Sequence, residues 1–194
     1  MQPDIRAGVR QAYSAAADNP QARHPFPVGR QFAESLGYSP DMLAGLPAAA
    51  VDAFAGVSNV AVFAEFPPGA TVLDLGCGAG LDSLLAARRV GPAGQVIGID
   101  FSEAMLQRAR QAAVEAGISN VEFRQADAEN LDLDDASIDV ALVNGIFNLN
   151  PARDCIFREL ARVMRPGGAV FAAELILREP LPPEAQASET NWFA

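Results

Sequence analysis

The chain is poor in the residue types that usually announce a metal site, a disulfide framework or a nucleic-acid surface. It holds two cysteines, Cys77 and Cys155, in 194 residues. Two thiols set several expected elements apart exclude a disulfide-stapled scaffold and predict the reduced cysteines of a cytoplasmic protein. The one histidine, His24, has no second histidine or cysteine pair beside it, so no metal site is expected. It stands between Arg23 and Pro25, in a stretch punctuated by Pro20, Pro27 and Gly29. There it reads as a solvated loop residue, with a catalytic base as the alternative. Basic residues number 14 against 24 acidic ones, for a net charge of −10. That balance excludes a sequence-independent nucleic-acid binder, which needs a basic footprint. It leaves a small-molecule substrate open. No apolar run approaches the roughly 18–20 residues of a membrane span. Met1-Gln-Pro-Asp-Ile-Arg6 lacks the charged-then-apolar order of a signal peptide. Neither nucleic acid nor membrane is therefore an expected partner.

Apolar residues, in contrast, make up half of the chain, enough for one domain with a real core. One stretch organises the rest: Thr71-Val-Leu-Asp-Leu-Gly-Cys-Gly-Ala-Gly80. Val72, Leu73 and Leu75 form the apolar run of a strand covered on both faces. Gly76, Gly78 and Gly80 break it, and a helical pattern resumes at Leu81 through Leu84, Leu85 and Val90. Strand, glycine turn and helix N-terminus together make a ligand cradle in an open α/β sheet. The alternative is a tight strand–helix turn with no ligand. A dinucleotide fingerprint, G-x-G-x-x-G, would need glycine at position 81. Leu81 stands there, which disfavours a nicotinamide dehydrogenase.

Before this stretch the chain reads as helical pieces. Ile5, Val9 and Tyr13 recur at four-residue intervals over about 4–17, and Asn19-Pro20 ends that helix. It is either a packing helix or a lid that turns Tyr13 toward a ligand. Residues 31–37 and 40–55 follow in pieces, with Pro47 interrupting the second. After it, strands and helices alternate. Gln95-Val-Ile-Gly-Ile-Asp100 is a second buried strand ending in an acid. With right-handed crossovers in a parallel sheet, Asp100 lies beside the glycine turn, where a carboxylate can accept hydrogen bonds from both hydroxyls of a ribose. A helix follows from Ser102 to about Ala116, with an apolar face of Met105, Leu106, Ala109, Ala113 and Val114 and a stop at Gly117. Val121–Gln125 and Ile138–Val143 read as strands. Asn150-Pro151 is expected to open a helix with a core face of Phe157, Leu160, Ala161 and Met164, and with Cys155 buried in it. Arg165-Pro-Gly-Gly168 is expected to turn sharply into a last strand, residues 169–177. The fold class is α/β, a Rossmann-like and mostly parallel sheet.

Asp74 two residues before Gly76-x-Gly78-x-Gly80, together with Arg165-Pro-Gly-Gly168, resembles the class I S-adenosylmethionine (SAM)-dependent methyltransferases. The resemblance covers residues 71–177 well. It implies SAM as cofactor, with its methionine portion at Gly76–Gly80, its ribose at Asp100 and its adenine at Asp127-Ala128. For Asp127 the bland alternative is a turn residue in an acidic loop with Glu129, Asp132, Asp134 and Asp135. Tyr13, Asp74, Cys77, Phe101 and Asn144 complete the expected cofactor set. Asn144 and Phe147 should also face the substrate, and no residue stands out as a general base. Asp82 either approaches the methionine amino group or simply favours the helix N-terminus.

Leu36-Gly-Tyr-Ser39, Leu84-Leu-Ala-Ala-Arg-Arg-Val-Gly-Pro92 and Val143-Asn-Gly-Ile-Phe-Asn-Leu-Asn-Pro151 narrow the resemblance to the arsenite methyltransferases. That family binds trivalent arsenic through cysteine thiolates. Here Val57, in Gly56-Val-Ser-Asn59, stands at one thiol position, and Gly145, in Asn144-Gly-Ile-Phe-Asn-Leu149, at another. A soft metalloid needs soft ligands, so the cofactor half of the resemblance is expected to hold and the arsenic half to fail. The class also carries two further strands after the fifth helix, and this chain is expected to lack them. Phe171–Leu177 would then be an apolar sheet edge; either the chain is a truncated product, or that edge is covered by the N-terminal section or by a second copy of the chain.

The expected organisation is an N-terminal helical cap (1–66), a SAM-binding core (67–180) and a truncated tail (181–194). The expected function is SAM-dependent methyl transfer to a small molecule. The alternatives are arsenite methylation, and a SAM-binding or oligomerisation module without turnover.

Overall fold

The computed structural model describes residues 5–176. The N-terminal section is helical in pieces: α1 (Ile5–Asp18), α2 (Arg30–Ser35), α3 (Pro40–Ala44), α4 (Ala48–Val51) and α5 (Val60–Phe63). Then β1 (Thr71–Leu75), α6 (Leu81–Val90), β2 (Gln95–Asp100), α7 (Glu103–Ala116), β3 (Val121–Gln125), β4 (Ile138–Asn144), α8 (Arg153–Val163) and β5 (Met164–Ala173) follow. The five strands form one sheet in the order β3-β2-β1-β4-β5, with every pairing parallel. The expected Rossmann-like sheet is thus present. Among the described residues no strand follows β5, and the expected tail, 181–194, lies outside them.

Alternation along the strands divides the core into two layers. Val72, Val96, Val140 and Leu142 pack with Leu84 of α6 and Leu106 of α7. The same layer takes in Tyr38, Leu43 and Val60 of the N-terminal section. Leu73, Leu75, Ile97, Ile99, Ala141 and Val143 face the opposite way, against Ile156, Leu160 and Val163 of α8. Both faces of the central strands are covered, which is why they read as nearly continuous apolar runs.

Several expected details are corrected. On α7, Ala112 is buried in place of Val114, which is 81% exposed. The three- and four-residue steps from Met105 and Ala109 lead to Ala112 and Ala113 and carry Val114 past the core. The last helix begins at Arg153 and not at Pro151, because the Asn150 side chain accepts the Ala152 amide at 2.8 Å and holds a turn there. Its buried stripe is Ile156, Leu160 and Val163. Phe157 is 51% exposed and Ala161 is exposed. Cys155 is only partly buried, with its sulfur accepting from Arg158 at 3.1 Å.

Arg165–Gly168 is not a turn ahead of the last strand but a bulge within it. Ile138 pairs with Met164 and Val140 with Ala169, so β5 advances five residues while β4 advances two. Gly167 takes φ +86° there, and Pro166 sits where no ladder donor is needed. The strand ends at Ala173, short of the expected Leu177, which lies outside the described residues. Among the described residues β5 is an edge, as expected. The N-terminal section reaches it: Phe63 of α5 meets Phe171 edge-on at 6.4 Å. Val170, Leu175 and Ile176 stay exposed.

Candidate active site

Since all strands run the same way, the C-terminal ends of β1, β2, β3 and β4 share one edge, and a cleft opens there. Gly76–Ala79 follow β1 into it, Asp100 ends β2 with Phe101 after it, Ala126–Glu129 follow β3, and Asn144 ends β4 with Gly145-Ile146 after it. β1 and β4 are neighbours though not consecutive strands. This reversal of winding is where open α/β sheets bind ligands. α1 adds Arg6, Val9, Arg10 and Tyr13 to the lining.

The glycines of the turn have separate reasons. Gly76 takes φ +79°, and a Cβ there would collide with Ile146. Gly78 takes φ +51°, and a Cβ there would meet nothing within 4 Å, so its backbone borders open space. Gly80 does not line the cleft. A Cβ on it would come within 3.0 Å of Ala109 and Phe123, so it sets the approach of α6 to α7 and β3.

Asp100 is buried at the cleft wall. One carboxylate oxygen accepts the Gly78 amide at 2.9 Å and the other the Ser102 amide at 2.8 Å. It ties the glycine turn to the cap of α7. Burial pushes its pKa up to about 6, and the amides of Ser102 and Gly78 oppose that rise. Asp74, on the helix-facing side of β1, accepts from Ser83 Oγ at 2.5 Å. Burial, and then the neighbouring Asp82 charge, push it up to about 8.

Asp82 lines the cleft, but its oxygens are engaged. Tyr38 donates to one at 2.5 Å and Asn144 Nδ2 to the other at 2.9 Å. Burial raises its pKa while these two bonds lower it. Asn144 in turn accepts the amides of Val57 (2.9 Å) and Ser58 (3.1 Å), and its Nδ2 also donates to the Ser58 carbonyl at 2.8 Å. Asn144 is among the lining residues of the cleft, and its side chain fastens the 57–58 loop to the start of α6.

Tyr13 stacks on Phe26 at 4.5 Å and meets Phe101 edge-on at 6.3 Å. Burial, then the Asp100 charge, raise its hydroxyl pKa. Cys77 and Ala128 also line the cleft. The Cys77 thiol is raised well above its ordinary value, by burial and then by Asp100. Phe147 does not reach the cleft. Its ring stacks on Phe157 at 4.6 Å in the layer beneath α8. Asp127 lines the cleft while pairing with Arg10 at 3.3 Å, and both side chains of that pair are more than half exposed. The structure adds residues that sequence patterns did not single out: Arg6, Glu129 and Asn150. Glu129 hid in an acidic run that reads as solvated, yet its side chain is nearly buried, pairing with Arg6 and accepting from Asn150 at 2.9 Å. Among the described residues, no group of three or more His, Cys, Asp or Glu side chains is arranged for a metal ion.

A family model described as "Methyltransferase domain" matches residues 67–193. The chain belongs to the methyltransferase domain family. This methyltransferase domain is 40% identical over 153 residues to the arsenite methyltransferase of Halobacterium salinarum, covering 79% of this chain and 39% of that protein. It is 38% identical over 106 residues to the demethylmenaquinone methyltransferase of Lactococcus lactis, covering 55% and 42%. Among solved structures, the arsenic(III) S-adenosylmethionine methyltransferase of Chlamydomonas reinhardtii superposes with a TM-score of 0.62 at 28% identity, over 84% of this chain and 56% of that one. The chain thus spans about two fifths of the length of the curated relatives it matches. Both levels of the sequence resemblance are borne out, and the cofactor of the family is S-adenosyl-L-methionine.

The cleft fits that cofactor. The open space beside Gly78 admits a ligand against the backbone. Asp100, Asp127 and Glu129 offer acceptors and negative charge to a cation rich in hydroxyl and amino groups. Phe101, Ala128 and Ile156 give a base an apolar wall.

Proposed function

We propose that the chain is a SAM-dependent methyltransferase domain acting on a small molecule by direct in-line transfer. The observation that carries this reading is the buried Asp100 carboxylate, held by the Gly78 and Ser102 amides in the cleft at the winding reversal. The cofactor supplies a methyl made electrophilic by a sulfonium, so the chain's task is to bind, orient and exclude water. Holding donor and acceptor in line can contribute roughly 7–11 kcal/mol in ideal cases.

In this reading Asp100 keeps its carboxylate toward the ribose hydroxyls. Gly76, Cys77 and Gly78 let the methionine portion lie against the backbone, and Asp74 orders that turn through Ser83. Tyr13, Phe101 and Ala128 enclose the base and ribose with Asp127. Asn144 holds the 57–58 loop where the acceptor meets the methyl. Residues 1–66 act as the cap, 67–180 as the cofactor core and 181–194 as the tail. The free Cys77 and Cys155 suit a reducing, cytoplasmic setting. The exposed side chains at the end of β5 make a sheet edge through which a second copy can add.

Likeness to arsenite methyltransferases favours arsenite as a second reading of the acceptor. The first is preferred because Val57 and Gly145 replace the expected thiols. Calorimetric titration of the 194-residue chain with SAM tests the cofactor site, with one site per chain expected. A folded chain that binds none defeats the reading. Methyl transfer to any small acceptor then separates an enzyme from a binding module.

A further inference from the structure

Helix α1 borders the cleft and is held differently at its two ends. Its C-terminal half packs into the core. Ala16 and Ala17 are buried in one cluster with Phe26, Ala79 and Met105, and Tyr13 stacks on Phe26 at 4.5 Å. Ser14 Oγ meets Ser102 Oγ, the cap of α7, at 2.9 Å, and Arg108 of α7 donates to the Ala17 carbonyl. The N-terminal half reaches past α7 to the loop after β3. There Arg6 pairs with Glu129, whose carboxylate also accepts from Asn150 at 2.9 Å. Arg10 pairs with Asp127 at 3.3 Å and lies over the Phe101 ring, 5.7 Å from its centre.

The N-terminal half has little else to hold it. Its buried apolar residue, Val9, lines the cleft. Gly8 separates the two arginines, and glycine is the poorest helix former after proline. The ion pairs are unequal. Arg10–Asp127 is solvated on both sides, and such pairs are weak and screened by salt. Arg6–Glu129 is more sheltered, since the Glu129 side chain is only 12% exposed. The helix thus has an apolar hinge at one end and a charged catch at the other. A ligand that fills the cleft gives Val9 and Tyr13 a surface to pack on. Closure of the helix and retention of the ligand then favour each other, as linked equilibria must.

We propose that α1 is a hinged lid on the cofactor site, and that Arg6 and Arg10 are the positioning residues that keep it shut and set how long a bound cofactor stays. The two guanidinium groups act through the helix: they hold Val9 and Tyr13 over the cleft. Salt opens the catch at Arg10 and acts less on the sheltered one at Arg6. This proposal rests on the cofactor reading above, and its test separates the two.

The test follows binding of S-adenosylhomocysteine to the immobilised chain by surface plasmon resonance. This compound is the cofactor without its methyl. It has no net charge at neutral pH, so salt does not act through attraction of the ligand to an acidic chain. For wild type, koff is expected to rise about two- to fivefold between about 50 mM and about 500 mM NaCl. Arg10→Gln should show the faster koff already at low salt and lose most of the salt dependence. Arg6→Gln should speed dissociation by about fivefold or more at every salt concentration. Arg10→Lys and Arg6→Lys, which keep the charge, should recover at least half of the lost residence time. An unchanged koff in both Gln variants overturns the proposal. So does a full salt dependence in the double Gln variant, because salt then acts elsewhere. A loss of affinity carried by kon alone also overturns it, since that marks encounter and not retention. Thermal unfolding of each variant checks that the fold is kept. A folded wild type that binds neither S-adenosylhomocysteine nor SAM removes the cofactor reading and this proposal with it, whereas binding with an unaltered koff removes this proposal alone.

Discussion

Val57 lies directly over Gly145: a Cβ built on Gly145 would come 2.9 Å from Val57 Cγ1. The two positions where the resemblance placed thiols are thus in contact, and they carry a branched hydrocarbon and a hydrogen. Gly145 also takes φ +81°, which favours glycine over cysteine. The remaining thiol in the cleft, Cys77, is buried and pushed toward its protonated form, the poorer ligand for a soft metalloid. Arsenite is therefore expected to bind without a stoichiometric endpoint and to yield no methylated arsenic with SAM and a thiol reductant. Equilibrium dialysis and arsenic speciation check this. Methylated arsenic as product would show that the acceptor site needs fewer thiols than this argument assigns.

Asp100 gives cofactor binding a pH dependence. Its pKa lies at about 6, and the ionised form is the better acceptor for ribose hydroxyls. SAM affinity should rise between pH 5 and pH 7 and level off above. Asp100→Ala should weaken binding at least tenfold and remove this dependence. Titrations at pH 5, 6 and 7.5 measure both, and an unchanged affinity in the variant would refute the ribose role.

The ligand-free chain should lose stability as pH rises from about 4 to 8. Asp74 has a folded pKa of about 8 against about 3.9 in an unfolded chain. Across that window the folded state binds more protons, so the slope of stability with pH is negative. Asp100 adds to the same slope up to about 6. Glu159, lowered to about 2 by Arg162 and the Leu131 amide, acts in the opposite sense, and only at more acid pH. Thermal midpoints at pH 5.5, 7 and 8.5 should fall in that order. Asp74→Asn, which keeps an acceptor for Ser83, should flatten the trend.

Tyr38→Phe isolates the tie between the N-terminal section and the core. Tyr38 is fully buried, and its hydroxyl donates to Asp82. The substitution leaves a buried carboxylate oxygen short of a donor, which costs about 1–3 kcal/mol. Urea unfolding should show that loss with an unchanged slope. A neutral result would mean that solvent replaces the hydroxyl, and that the section is held by apolar packing alone.

The division of labour between sequence and fold follows the range of the forces. The five strands, α6, α7 and the glycine turn were legible because each depends on local signals: two-residue alternation, helical spacing, Ser102 as cap and Gly117 as stop. Asp100 was legible because a strand end in a parallel sheet has a defined neighbour. Other features depended on partners far along the chain. Phe157 rests on Phe147, and the core stripe of α8 starts one residue earlier, at Ile156, because that is the face turned toward the apolar layer beneath the sheet. The bulge at Arg165–Gly168 arises from pairing with β4, which no local pattern encodes. In the acidic run after β3, Asp127 and Glu129 look equivalent by type and spacing. Arg10 meets Asp127 in solvent, whereas Arg6 and Asn150 enclose Glu129. Local sequence can place a carboxylate in a loop, but which carboxylate is enclosed and which stays in solvent depends on side chains more than a hundred residues away in one direction and about twenty in the other.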